Sequence, residues 1–189
     1  MRNFKTIAIA FIVAFTTLTA AAQDKKINTK TSQINWVGKK VTGQHSGRIS
    51  FQDGVLTMKK GKVTGGTFTV DMNTLTVTDL KAGEGKEKLE GHLKADDFFG
   101  TDKYKTAKLV FKSVTERAPG LYAVTADLTI KNITKPVSFE LKAGKDNATT
   151  SFKVDRTKYG IEYKSGSVFQ NLGDNAIYDE FDLTINLFF

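Results

Sequence analysis

The sequence predicts an all-β domain of short antiparallel strands, each with one apolar and one polar face. Three observations predict it. Apolar side chains recur at every second position through most of the chain, the period of a half-buried strand. Clusters of Gly, Pro, Asp and Asn separate these runs. Helical spacing is confined to one stretch, GEGKEKLEGHLKADDFF, where Leu89 and Leu93 stand four apart among charged residues.

Residues 1–22 read as an export leader rather than as part of the fold. Arg2 and Lys5 precede an apolar run from Ile7 to Leu18, and Ala20 and Ala22 occupy the small-residue positions of a cleavage site. The run is shorter than the roughly 18 apolar residues of a membrane span. The expectation is a periplasmic or secreted protein comprising one domain, 23–189. The chain has no cysteine, which excludes disulfides, thiol catalysis, cysteine-held metal and a cysteine-linked lipid. Its formal charge of +8 falls to +6 when Arg2 and Lys5 leave, because no acid leaves with them. The lysines are scattered along the strands, as on a solvated face. Export argues against a nucleic-acid partner, whereas transient attraction to an anionic membrane surface stays open.

Taken in order, GGTFTVDM aligns Phe68, Val70 and Met72 on one face. The helical stretch follows as a short helix and turn over about 84–100, ended or interrupted near Gly91, with Asp96–Phe99 as the tight turn. LYAVTADLTI places Tyr122, Val124, Ala126, Leu128 and Ile130 together, and PVSFEL does the same for Val137, Phe139 and Leu141. ATTSFKVD aligns Phe152 with Val154, and EFDLTINLFF aligns Phe181, Leu183, Ile185 and Leu187. Asp53-Gly54, Ala118–Gly120 and Lys145–Asn147 are the turn signals between strands. About eight such strands hide their apolar faces in a sandwich or a closed barrel, and a barrel of eight either fills itself or holds one small ligand. The chain contains 14 phenylalanines; they could pack one another or line a tunnel, and alternation leaves both open.

Catalytic chemistry is scarce. His45 and His92 are the only imidazoles. Ser46, His92 and Asp96 could be written as a triad, but no nucleophile elbow marks the serine. No histidine spacing suits zinc, DDFFGTD lacks the alternating acids of a calcium loop, and GEGKEK lacks the third glycine of a dinucleotide fingerprint. Asn132 and Asn147 head glycosylation-type triplets that arise often by chance. Asp96 and Asp97 are expected to accept hydrogen bonds from the turn's free N–H groups, beside a buried Phe98-Phe99 pair.

GHLKADDFFGTDKY, LTIKNITKPVSFEL and DRTKYGI together resemble the YceI-like family of exported polyisoprenoid-binding proteins. The likeness runs in order from Ile34 to Leu187. It departs at Glu90-Gly91, where the family often has Arg-Asp, and at Lys105, where proline is common. The resemblance implies an extended, lipocalin-like, eight-stranded antiparallel barrel whose elongated cavity holds a long isoprenoid, quinone-like or other lipid chain. It implies no cofactor, metal or catalysis. The ligand-binding positions it suggests are Phe68, Val70, Phe98, Phe99, Phe111 and Val124, together with Leu128, Ile130, Phe139, Phe152, Phe181 and Ile185. Tyr104, Tyr159 and Tyr163 could offer a hydroxyl to a polar head. The ligand and the choice between monomer and homodimer are not fixed by the sequence. Two rivals follow from the same residues: a small outer-membrane barrel with its apolar face toward lipid, and an enzyme using His45 or His92 on an apolar substrate.

Overall fold

The computed structural model describes residues 22–189; the expected leader lies, but for Ala22, outside them. The strands are β1 (Gln23–Lys26), β2 (Gln33–Lys40), β3 (Gly43–Lys59), β4 (Lys62–Val77), β5 (Thr106–Ala118), β6 (Leu121–Ile130), β7 (Ile133–Ala143), β8 (Asn147–Asp155) and β9 (Ile177–Phe188). One helix, α1 (Lys86–Lys94), lies between β4 and β5. Every strand pair is antiparallel, and the pairings β3–β4 and β2–β9 complete a ring from β2 round to β9. The result is a closed eight-stranded barrel. The extra strand, β1, pairs with the far half of β3 (Lys26 opposite Val55), beyond the point where β2 pairs with it (Ile34 opposite Ile49).

Alternation sets which face looks inward. In β6 the residues at even positions, Tyr122 to Ile130, are all buried, and their odd neighbours are not. The outward face carries polar pairs across strands: Thr129 with Thr134 at 2.8 Å, Lys39 with Asp182 at 2.6 Å, and Lys153 with Glu180 at 3.2 Å. A membrane barrel needs the opposite arrangement, an apolar exterior, so this outer face does not suit a lipid-spanning role.

Two local expectations are corrected. Asp53-Gly54 is not a turn but lies inside the 17-residue β3, where the chain bulges against β4 between Phe51 and Asp53. A Cβ at Gly54 would come within 2.6 Å of the Phe68 ring and 2.8 Å of Ile27, so glycine is there for side-chain packing. The true reversal is Lys60-Gly61, both with positive φ. Nor does the helix stop at Gly91. It continues to Lys94, since nothing lies within 4 Å of a Cβ at Gly91 and burial of Leu93 holds the last turn down.

The two ends of the barrel differ. One is closed by tight hairpins over buried Leu56, Met58, Val63 and Ala148, with Leu141 and Leu187 above them on the cavity floor. The other is capped by α1, the turns of 95–104, and a 3₁₀ turn at Arg156–Tyr159 followed by irregular chain up to β9.

Candidate functional site

Inside the barrel, toward the capped end, lies a cavity of about 230 Å³. Its wall is built from inward positions of the strands and from α1 and the cap. Of the positions singled out in the sequence, Phe68 and Val70 on β4, Phe111 on β5, and Leu128 and Ile130 on β6 line it. So do Phe139 on β7, Phe152 on β8, Phe181 and Ile185 on β9, and Phe98 and Phe99 in the cap. Val124 does not. It is 2 % exposed: although it lies opposite the wall residue Phe139 in the β6–β7 register, its side chain is covered by neighbours and does not face the space, because alternation fixes a face but not what covers it.

The phenylalanines form a belt around the wall. Ring centroids are 6.2 Å apart for Phe51–Phe68, 5.7 Å for Phe68–Phe111 and 5.8 Å for Phe111–Phe139. Phe139 and Phe152 stack at 4.7 Å and 15°. That stack matters to the wall, because β7 and β8 are hydrogen-bonded only from Leu141–Ala143 to Ala148–Thr150 and diverge beyond it. In the cap, Phe98 and Phe99 lie 5.7 Å apart, and Phe99 meets Phe181 edge-on at 6.3 Å. Each contact leaves one face of a ring for neighbours or for the cavity.

Sequence reasoning missed several wall residues. Trp36, Leu109 and Leu183 line the cavity in phase with residues that were found. Trp36 lies opposite Gly47, and a Cβ there would fall 2.4 Å from the indole and 1.9 Å from the Thr76 carbonyl oxygen. Glycine at 47 is therefore the seat of the tryptophan. The indole Nε1–H is buried and has no partner among the described residues. Arg156 also reaches the wall, 3 % exposed. It follows the last strand residue of β8, and no period announces a buried cation. The proposed tyrosines are not at the wall: Tyr159 is 1 % exposed with its phenol pushed up to about 12 by burial, while Tyr163 packs on the His92 ring at 4.4 Å. Tyr104 does not line the cavity either; Tyr178 does.

The cap is fastened by polar bonds. The Glu90 carboxylate accepts from the Thr76 hydroxyl at 2.6 Å and from the Val77 N–H at 2.8 Å, tying α1 to β4. These bonds hold its pKa below the ordinary glutamate value, against the opposing effect of burial. Lys131 Nζ donates to the carbonyls of Asp96 and Phe98 at 3.0 and 2.8 Å, fixing the turn. Asp96 and Asp97 do not bond turn N–H groups as expected. Asp96 takes Lys103 Nζ at 2.5 Å and Asp97 takes His92 Nε2 at 3.1 Å, because the turn's own carbonyls already satisfy its N–H groups. His45 Nδ1 donates to Asp79 at 2.8 Å. Burial would raise the Asp79 pKa, but the Ser46 N–H and the imidazole outweigh it and hold it below the ordinary value. Each imidazole thus has its own carboxylate; Ser46, His92 and Asp96 form no relay, and both histidines stand at the cavity mouth with Lys39, Lys40 and Tyr178.

The sequence matches the YceI-like domain over residues 26–189, and the chain belongs to that family. It is 35 % identical over 94 residues to a UPF0312 protein of Shewanella denitrificans and 32 % identical over 107 residues to one of Staphylococcus aureus. Those matches span 50 % and 51 % of this chain, and 47 % and 60 % of the relatives, about half their length. A Shewanella sp. UPF0312 protein aligns over 89 % of this chain and 88 % of its own at 26 % identity. Among solved structures the fold is shared with Burkholderia cenocepacia BcnA (TM-score 0.65, 17 % identity, 85 % of this chain and 98 % of that one). It is shared too with a Saccharophagus degradans polyisoprenoid binding domain implicated in plant cell wall breakdown (TM-score 0.58, 14 % identity, 86 % and 95 %).

Proposed function

We propose that this YceI-like barrel is an exported carrier that holds one long-chain apolar ligand, an isoprenoid-tailed or other lipid, and performs no chemistry on it. The observation that carries the reading is the aromatic-walled cavity itself, an apolar space opening at the capped end of a barrel whose outside is polar. The polyisoprenoid binding domain of like fold supports the same class of ligand. Phe68, Phe111, Phe139 and Phe152 are the wall that the chain would lie against, with Phe98, Phe99 and Phe181 above it.

Each buried methylene is worth about 0.8 kcal/mol against water, so release into water is strongly opposed. A bilayer is as apolar as the cavity. Net preference is then small and set by fit and by the ligand's polar end. Ligand pockets commonly run about 300–1,000 Å³. At about 230 Å³, this cavity takes part of a long chain, with the remainder leaving through the mouth or displacing the cap. Action outside the cytoplasm rests on the leader over residues 1–22.

The test is mass spectrometry of an organic extract of the mature protein purified without detergent. A long-chain lipid at about one per protein is expected. A lipid-free extract, with no uptake after incubation with vesicles, would reduce the cavity to a packing defect and end the carrier reading.

A further inference from the structure

The barrel wall is fastened unevenly round its circumference. β7 is paired with β6 along all of Leu121–Ile130, and β8 with β9 along all of Asn147–Asp155. Between β7 and β8 the ladder is confined to Leu141–Ala143 against Ala148–Thr150, toward the packed end. Nearer the cap, Ile133–Glu140 of β7 and Ser151–Asp155 of β8 are unpaired on that side and leave a seam in the wall. Side chains do not replace the missing ladder. On β7, Ser138 bonds Thr125 at 3.4 Å and Thr134 bonds Thr129 at 2.8 Å, both on β6 and away from the seam. On β8, Ser151 bonds Thr184 at 3.3 Å and Lys153 bonds Glu180 at 3.2 Å, both on β9 and again away from it. Among the described residues one side-chain hydrogen bond crosses, from the Thr150 hydroxyl to the Glu140 carbonyl at 2.6 Å, at the edge of the paired stretch. The β4–β5 ladder is also short, Thr67–Asp71 against Thr106–Val110. It is secured beyond both ends, by the Lys62–Glu116 ion pair and by the Met72 N–H on the Lys105 carbonyl at 2.9 Å.

One layer of side chains stands where the ladder is missing. Continued past the paired stretch, the register sets Phe139 opposite Phe152, and their rings stack at 4.7 Å and 15°. Both rings line the cavity. Val137 and Val154 follow them in the same inward phase toward the cap. The 3₁₀ turn Arg156–Tyr159 then leaves β8 and packs on β7, and a Cβ at Gly160 would stand 3.6 Å from Ile133 Cδ1. This turn bounds the seam at the cap. Parting two paired strands strips backbone groups of their partners, at a cost for every bond. At the seam there is no ladder to break, and the stacked rings need only swing apart. The mouth differs, since Lys39, Lys40 and both histidines stand there and an apolar chain entering by it passes among polar groups.

We propose that the capped half of the barrel opens sideways along the β7–β8 seam, a portal gated by the Phe139–Phe152 stack, through which an apolar chain slides into the cavity. This rests on the carrier reading and goes beyond it by assigning the route of entry. A chain that parts the two rings keeps apolar contact on both sides and then lies against the phenylalanine belt. The bonds of Glu90 to β4 and of Lys131 to the Phe98 turn stay intact, so α1 is not lifted. Phe139 and Phe152 are thus gate as well as wall.

The experiment follows uptake of 1-N-phenylnaphthylamine, a neutral fluorophore, by the mature protein in stopped flow. The chain has no cysteine, so a pair placed across the seam reacts alone. Ser138 and Lys153 are exposed and form the next register pair after the stacked rings. The Ser138→Cys/Lys153→Cys variant is joined by bis-maleimidoethane, and its control is the same variant capped with N-ethylmaleimide. The joined form is expected to fill at least about tenfold more slowly than the capped one, to the same final fluorescence. Equal rates would overturn the portal and leave the carrier reading standing. No uptake by the parent, together with a lipid-free extract, would overturn both. A disulfide in Thr76→Cys/Glu90→Cys, where α1 and β4 side chains meet at 2.6 Å, should leave the rate unchanged. Slowing there, without slowing at the seam, would make the cap the gate. Phe152→Leu keeps an apolar wall without the stack and should speed uptake and release about three- to tenfold, the rate equivalent of one aromatic contact. Unchanged rates in that variant would overturn the gate, and they decide the matter if the joined form loses its final fluorescence.

Discussion

The packed end of the barrel and the capped end are made by different forces. At the packed end Leu56, Met58, Val63 and Ala148 are buried under hairpins of two or three residues, with Leu141 and Leu187 above them on the cavity floor. At the capped end the covering pieces also bury apolar side chains, Leu93, Phe98, Tyr159 and Ile161, but they are tied in addition by polar bonds: Glu90 to β4, Lys131 to the Phe98 turn, and Arg156 to the carbonyls of Ile161, Ile177 and Tyr178. Apolar burial scales with area and resists partial opening, whereas a hydrogen bond can be exchanged for one to water at a net cost of about 1 kcal/mol. A barrel that must hold its shape and still admit a long chain needs the first kind of closure at one end and the second at the other.

The largest effect that would break this contrast lies at the packed end. Leu56 has no exposed surface and does not line the cavity, so Leu56→Ala is expected to cost about 2–5 kcal/mol in urea unfolding. Ligand bound per folded molecule should be unchanged. A small loss of stability joined to a loss of ligand would mean that the packed end belongs to the site.

The same contrast explains what the sequence made legible. Strand alternation found the barrel, and nine suggested strand residues lie on the cavity wall because a period of two assigns faces; Phe98 and Phe99, in the cap, came from the family motif. Alternation could not tell a wall position from a covered one, so Val124 was grouped with Leu128 and Ile130 on the same strand although its neighbours cover it. It also misread Asp53-Gly54 as a reversal, because a glycine that clears space for Ile27 and Phe68 carries the same letter as one that turns a chain. At the capped end no period operates. Arg156 and the carboxylate partners of His45 and His92 depend on contacts between segments far apart in the chain, such as Asp79 with His45, and only the family likeness drew attention to their stretches.

A smaller effect tests the polar fastening. Glu90→Ala removes both ties from α1 to β4 and is expected to cost about 1–3 kcal/mol, reduced toward the lower figure because the Glu90 side chain is 21 % exposed. Glu90, Asp79 and Asp179 all have folded pKa values below their ordinary ones. At acid pH the unfolded chain therefore binds protons that the folded chain resists. The stability these groups contribute is complete above the ordinary carboxylate range, near pH 4–5, and is lost as pH falls through their lowered values. Urea midpoints at pH 7 and pH 3 should show a smaller acid loss in Glu90→Ala than in the parent. Equal losses would mean that this tie does not titrate with folding.

The smallest change in stability should come from filling the cavity, and it separates shape from strength most sharply. Val70 lies on the wall, partly exposed to the space rather than wedged between neighbours. Enlarging a side chain in a close-packed core typically costs about 1–3 kcal/mol, because the added atoms have nowhere to go. Beside a void they displace only emptiness and gain contacts. Val70→Phe should thus shift the unfolding free energy by less than about 1 kcal/mol while excluding lipid from the barrel, read as loss of the extracted chain and of fluorophore uptake. A variant that keeps its full lipid complement would locate the chain elsewhere than against β4. One that unfolds would show this wall to be packed as tightly as the far end, and the two ends would no longer be distinct.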